Sequence, residues 1–199
     1  MFYHGIKDYY DPNESVLKLL EIIESGGLKS RRLQGKTSTF GFNGDDYISV
    51  CERKSDAEYR KYSNNAFFNF IQFRFCFIIS PDVSVIPIRY LDCEKFASFK
   101  EVTEYMECYP SLRFSDMFDE WQVKSEIPLS YIVGIGLPVH KILGYIKYGE
   151  EKEIFKNNLN KLYSIAKGLN WIIVNTDTLY MENDYIECLV NEEEKKKTL

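Results

Sequence analysis

The chain has 199 residues, enough for one domain with a substantial core and too few for two of ordinary size. Lysine and arginine number 25 against 30 acids, a formal charge of −5, which disfavours general electrostatic capture of nucleic acid or an anionic membrane while leaving room for a local basic patch. Hydrophobic residues at 45% exclude a disordered chain; two histidines leave little for a His-rich metal site, and five cysteines without a CxxC pair fit neither a disulfide framework nor a zinc ribbon.

The opening MFYHGIKDYYDP lacks the charged start and apolar run of a secretory signal, and no stretch approaches about 18 uninterrupted apolar residues. The expectation is a cytoplasmic protein with no membrane and no metal.

Residues Met1–His4 read as a short strand ended by Gly5. Asn13 is the expected N-cap of a helix in which Glu14 favours the first turn and Val16, Leu19, Leu20 and Ile23 recur at helical spacing, with Ser25-Gly26-Gly27 as the stop. From Leu28 to Asp46, with Gly35, Gly41 and Gly44 and little periodicity, the pattern is that of a long loop lining something. Tyr47–Cys51 is β-branched and aromatic, hence a strand, and Ser55 to Asn65 reads as a short helix or ordered loop.

Phe70–Ile79 is the strongest strand signal, closed by Ser80-Pro81-Asp82, and a short strand around Val83 to Ile88 leads into a mixed helical stretch from Cys93 to Cys108. Trp121–Lys124 and Tyr131–Leu137 read as strands separated by an Ile127-Pro128 turn. A charged helix over Glu150 to Lys167, a last strand over Trp171–Val174 and a charged tail over 191–199 complete the chain. With no repeating βα alternation, the expected class is α+β, in one domain over residues 1–190.

Familiar nucleotide motifs fail. Gly35-Lys36-Thr37 looks like the end of a P-loop, but Ser30 stands where the first glycine belongs. Gly134-Ile135-Gly136 lacks the third glycine of the dinucleotide fingerprint, and the following Pro138 is not an expected helix start. A cysteine nucleophile would have to use His4 or His140, and no local sequence marks one of the cysteines as activated.

Three separated pieces are more informative together: Tyr3-His4-Gly5, Tyr47-Ile48-Ser49-Val50, and Asp119-Glu120-Trp121-Gln122-Val123 ahead of Glu126-Ile127-Pro128-Leu129-Ser130-Tyr131-Ile132. Here the chain resembles the ADP-ribosyltransferase superfamily over about residues 1 to 137. The late segment is similar to the glutamate region of bacterial toxins that ADP-ribosylate DNA. The resemblance implies two packed, mostly antiparallel sheets with flanking helices. It also implies an NAD-dependent enzyme that cleaves the nicotinamide–ribose bond and passes ADP-ribose to a macromolecular acceptor, nucleic acid or protein, in a toxin or conflict role.

By that resemblance Glu120 is the candidate catalytic carboxylate. His4 would bond the ribose hydroxyl, the Gly5 backbone would meet the nicotinamide amide, and Tyr47 would stack on the nicotinamide ring with Tyr59 as the other side of the clamp. Ser49 and Arg53 are further candidates for the same pocket. The chemistry explains the carboxylate: bond breaking passes through an oxocarbenium-like state that a nearby negative charge stabilises. Asp119 and Glu126 compete with Glu120, which is favoured because Trp121 and Val123 put it at the mouth of a strand, whereas Glu126 falls in the expected turn. Phe118, two residues before Glu120, leaves out the Glu-x-Glu or Gln-x-Glu signature and makes protein arginine a poor acceptor.

Lys29, Arg31, Arg32 and Lys36 form a cationic run without an acid that would meet the NAD diphosphate or a nucleic-acid acceptor. Its plain alternative is a solvated loop. Other readings of the same residues are a catalytically silent nucleotide- or partner-binding module, an NAD glycohydrolase, and an enzyme of RNA 2′-phosphate transfer.

Overall fold

The structure, a computed structural model, describes residues 1–7, 11–36, 44–52, 71–87 and 120–177. Its strands are β1 (Phe2–Gly5), β2 (Gly27–Lys29), β3 (Tyr47–Glu52), β4 (Cys76–Ile79), β5 (Ile86–Pro87), β6 (Glu120–Lys124), β7 (Glu126–Pro128), β8 (Ile132–Leu137) and β9 (Ile172–Asn175). The helices are α1 (Pro12–Glu24), α2 (Val139–Tyr148) and α3 (Lys152–Gly168). The sequence-read segments 55–65 and 93–108, Arg53, Tyr59 and the 191–199 tail lie outside the described residues.

Seven strands form one sheet in the order β5-β6-β3-β1-β4-β8-β9, antiparallel at every step except the parallel β8–β9 pair; β2 and β7 make a second, two-stranded antiparallel ladder. The chain is thus a mixed α and β fold with a mostly antiparallel main sheet. Alternation along the strands sorts the side chains. Phe2, Val50, Phe77, Ile79 and Ile135 join Leu19, Ile142, Phe155 and Leu162 of the three helices in the main core, while Tyr3, Cys51, Cys76 and Ile78 form a smaller cluster. Among the described residues no helix is long and apolar enough to cross a membrane.

Local chemistry moves several expected boundaries. Asp11, not Asn13, caps α1: its carboxylate accepts from the Asn13 N–H at 2.8 Å, and Pro12 takes the first helical position, where its fixed φ is already helical. Asn13 is buried and its Oδ1 accepts instead from Asn158 of α3 at 3.0 Å. The expected loop from Leu28 opens as β2, and the expected Ile127-Pro128 turn is its partner β7; Ser125, at φ 67°, makes the bend between β6 and β7.

The apolar run from Phe70 is not one strand. Residues 71–74 turn, with Phe73 at φ 61°, and only Cys76–Ile79 pairs. Pro138 does precede a helix, as its N-cap residue, so β8-α2-α3-β9 is a parallel crossover that sequence reading missed. Gly134 and Gly136 serve that packing: a Cβ on the first would strike the Ile172 carbonyl, and on the second the Cys76 Sγ and the Thr176 methyl.

Candidate functional site

A cavity of about 830 Å³ lies between α1 with its following β2 and turn, and the edge where β1 ends and β3 begins. The antiparallel β1–β3 pairing brings residues 45 apart in sequence together, and the His4 Nδ1–H donates to the Ser49 carbonyl at 2.7 Å. A carbonyl only accepts, so this bond fixes the tautomer and leaves the Nε2 lone pair available to a ligand hydroxyl. Burial depresses the His4 pKa below the ordinary 6.5, with the Ser49 bond partly opposing it, so the ring is neutral at neutral pH.

Gly5 follows on β1, and Tyr47 and Ser49 come from β3; with His4 all four line this one cavity. Ile6, Ile22, Leu28 and Ile48 supply apolar wall. The opposite rim is the 29–36 turn. It is pinned by Ser30 N–H to the Ser125 carbonyl at 2.7 Å, Arg32 N–H to the Asp45 carbonyl at 2.8 Å, and the Gln34 amide to the Lys29 carbonyl at 2.6 Å.

The lining carries Lys7, Lys18, Lys29, Arg31 and Lys36 against one acid, Glu21, and that acid is held by Lys18 at 2.8 Å. A strongly cationic cleft therefore sits on an acidic chain, with solvent-facing Lys29, Arg31 and Lys36 able to follow a phosphate group. Arg32 leaves the expected four-cation group: it pairs with Asp46 and is absent from the lining.

Glu120 heads β6, in register with Cys51, which is in register with Tyr3. Its backbone is thus two strands from β1, about 10 Å at the usual spacing, and one row from His4. Glu126 is in a strand rather than a turn, exposed, opposite Lys29, and outside the cavity lining. Asp119, Arg53 and Tyr59 lie outside the described residues.

Sequence reading missed the contribution of α1. Lys18, Glu21 and Ser25 recur at i, i+3 and i+7, a polar stripe along the cavity side of a helix whose apolar positions fill the core. Their spacing was the available signal. No family model matches the chain, and neither does any curated protein or solved structure.

Proposed function

We propose that the chain is an NAD-dependent ADP-ribosyltransferase and that the cavity beneath α1 is its NAD site. The observation that carries the reading is the convergence of His4, Gly5, Tyr47 and Ser49 on one cleft whose far rim is cationic. The diphosphate lies along Lys29, Arg31 and Lys36. The nicotinamide ring stacks on Tyr47, its amide against the Gly5 backbone. The neighbouring ribose hydroxyl donates to the neutral His4 Nε2, a bond for which the Ser49 carbonyl has already set the ring.

As the nicotinamide–ribose bond lengthens, positive charge develops on the sugar, and the Glu120 carboxylate stabilises it. Glu120 holds this role by the resemblance, with its backbone two strands from β1 in the row of Cys51 and Tyr3. The fold is read as ADP-ribosyltransferase-like on the same grounds, with a mostly antiparallel sheet beside a smaller ladder. The macromolecular acceptor is nucleic acid or protein, in the toxin or conflict role the resemblance implies.

The test is nicotinamide release from NAD by the purified chain and by Glu120→Gln. The expected result is release by the wild type and a loss of about 10²–10³-fold in the variant with NAD binding kept. NAD binding with no release by the wild type would leave a silent binding module, and no binding would remove the proposal.

A further inference from the structure

The cationic rim of the cavity has an internal order of its own. The Gln34 N–H donates to the Ser30 carbonyl at 3.1 Å, which winds the chain through one helical turn. Gly35, at φ 67°, then closes that turn: its N–H donates to the Arg32 carbonyl at 3.0 Å, and the Lys36 N–H donates to the Arg31 carbonyl at 2.8 Å. These paired bonds are the ones that end a helix through a left-handed glycine. They fold the chain back, so that Lys36 returns beside Arg31.

One side chain ties the two ends of the turn together. The Gln34 amide nitrogen donates to the Lys29 carbonyl at 2.6 Å, and the Gln34 amide oxygen accepts from Lys36 Nζ at 3.1 Å. Lys29, Arg31, Gln34 and Lys36 all line the cavity, so the tie is made at the site itself. An ammonium carries three N–H donors, and this bond uses one of them.

The partner matters as much as the bond. The Gln34 oxygen belongs to an uncharged amide, so it directs the Lys36 ammonium without cancelling its charge. Arg32 is the opposite case: the Asp46 carboxylate neutralises it, and it is absent from the lining. A free lysine side chain loses rotational freedom when it grips an anion, and holding it beforehand removes part of that cost.

We infer that Gln34 is the positioning residue of a diphosphate site on this turn, fixing the Lys36 ammonium and the Lys29 backbone before the ligand arrives. This rests on the ADP-ribosyltransferase reading, which lays the NAD diphosphate along Lys29, Arg31 and Lys36. The diphosphate keeps its bonds and charge while the nicotinamide–ribose bond breaks. The contribution of Gln34 is therefore the same in ground and transition states, and it acts on KM rather than kcat.

The test is a double-mutant cycle of Gln34→Ala and Lys36→Ala, read by calorimetric titration with NAD and inorganic pyrophosphate as separate probes. Gln34→Ala is expected to weaken both probes about three- to ten-fold in the wild type and less than about two-fold in the Lys36→Ala background, because it acts through that ammonium. Gln34→Glu keeps an oxygen for Lys36 but cancels its charge, and is expected to weaken both probes further than Gln34→Ala. In turnover, Gln34→Ala is expected to raise KM for NAD and leave kcat unaltered. The same factor in both backgrounds, a Gln34→Glu that binds as tightly as the wild type, or a loss in kcat alone overturns this inference and leaves the NAD reading in place. A wild type that gives the expected cycle with pyrophosphate but does not bind NAD overturns the reading and supports the positioning of the anion site. A wild type that binds neither probe overturns both.

Discussion

Replacing Gly27 by alanine tests whether β2, a wall of the cavity, is held closely against β7. Gly27 has φ +136°, and a Cβ there would run into the Ile127 carbonyl and come within 2.9 Å of the Leu129 nitrogen. These are backbone atoms of β7 and its continuation, so no side-chain rotation gives relief. The backbone conformation alone costs about 1–3 kcal/mol for a residue with a Cβ. Displacing β7 weakens the three-pair β2–β7 ladder, and losing one or two of its hydrogen bonds adds about 1–2 kcal/mol.

The total of about 2–5 kcal/mol corresponds to a fall in Tm of about 4–20 °C at this chain length. Gly26→Ala separates the terms: its φ is +85° but no atom lies within 4 Å, so only the conformational cost of about 1–2 kcal/mol remains. Gly144→Ala, in the open on α2, is expected to stabilise by about 0.5–1 kcal/mol. Differential scanning calorimetry of the three variants reads the ranking. Equal losses for Gly27→Ala and Gly26→Ala would refute the close β2–β7 approach.

The neutral His4 gives a pH signature. Its folded pKa lies below the ordinary 6.5, so its stabilisation is complete above that value and is lost as pH falls through the folded pKa, because the unfolded chain takes the proton first. The wild-type Tm should drop more steeply than that of His4→Gln on acidification below 6.5, and parallel curves would contradict the lowered His4 pKa. Phe155 is fully buried with its ring centroid 4.9 Å from that of Tyr145, so Phe155→Ala should cost about 3–5 kcal/mol in urea unfolding, whereas exposed Ile154→Ala should stay within about 0.5 kcal/mol. Arg32→Ala should change stability by at most about 1 kcal/mol and leave NAD affinity alone, since that side chain is spent on an exposed pair with Asp46, whereas Arg31→Ala should weaken NAD in the same titration.

The longer signals in the sequence were legible because they have a period: the apolar spacing of α1, the β-branched run of β3 and the charged α3. The three-residue β2 and β7 are too short for one, and their pairing is set by Gly27 and by the Ser125 bend, which only the tertiary structure shows. Pro138 was misread because proline breaks a helix interior yet suits its start, and the two cases look alike without the strand before it. The hydrophobicity from Phe70 to Ile79 was real, but Phe73 turns outward at 44% exposure and the run bends there.

At the candidate site, the resemblance to a known superfamily picked out His4, Gly5, Tyr47 and Ser49, and the antiparallel register gathers them on one cavity. What the one-dimensional pattern did not carry was the division of the cationic run, because Asp46 lies ten or more residues beyond it and claims Arg32 by geometry.

The central claim is that the cationic cleft beneath α1 binds NAD, and calorimetric titration of NAD into the wild type and the K29E/R31E/K36E variant tests it most directly. The expected result is a single site that weakens as salt is raised and is lost in the variant, whose Tm stays near the wild type because all three side chains face solvent. A wild type that does not bind NAD, or a variant that binds it equally well, would contradict the claim.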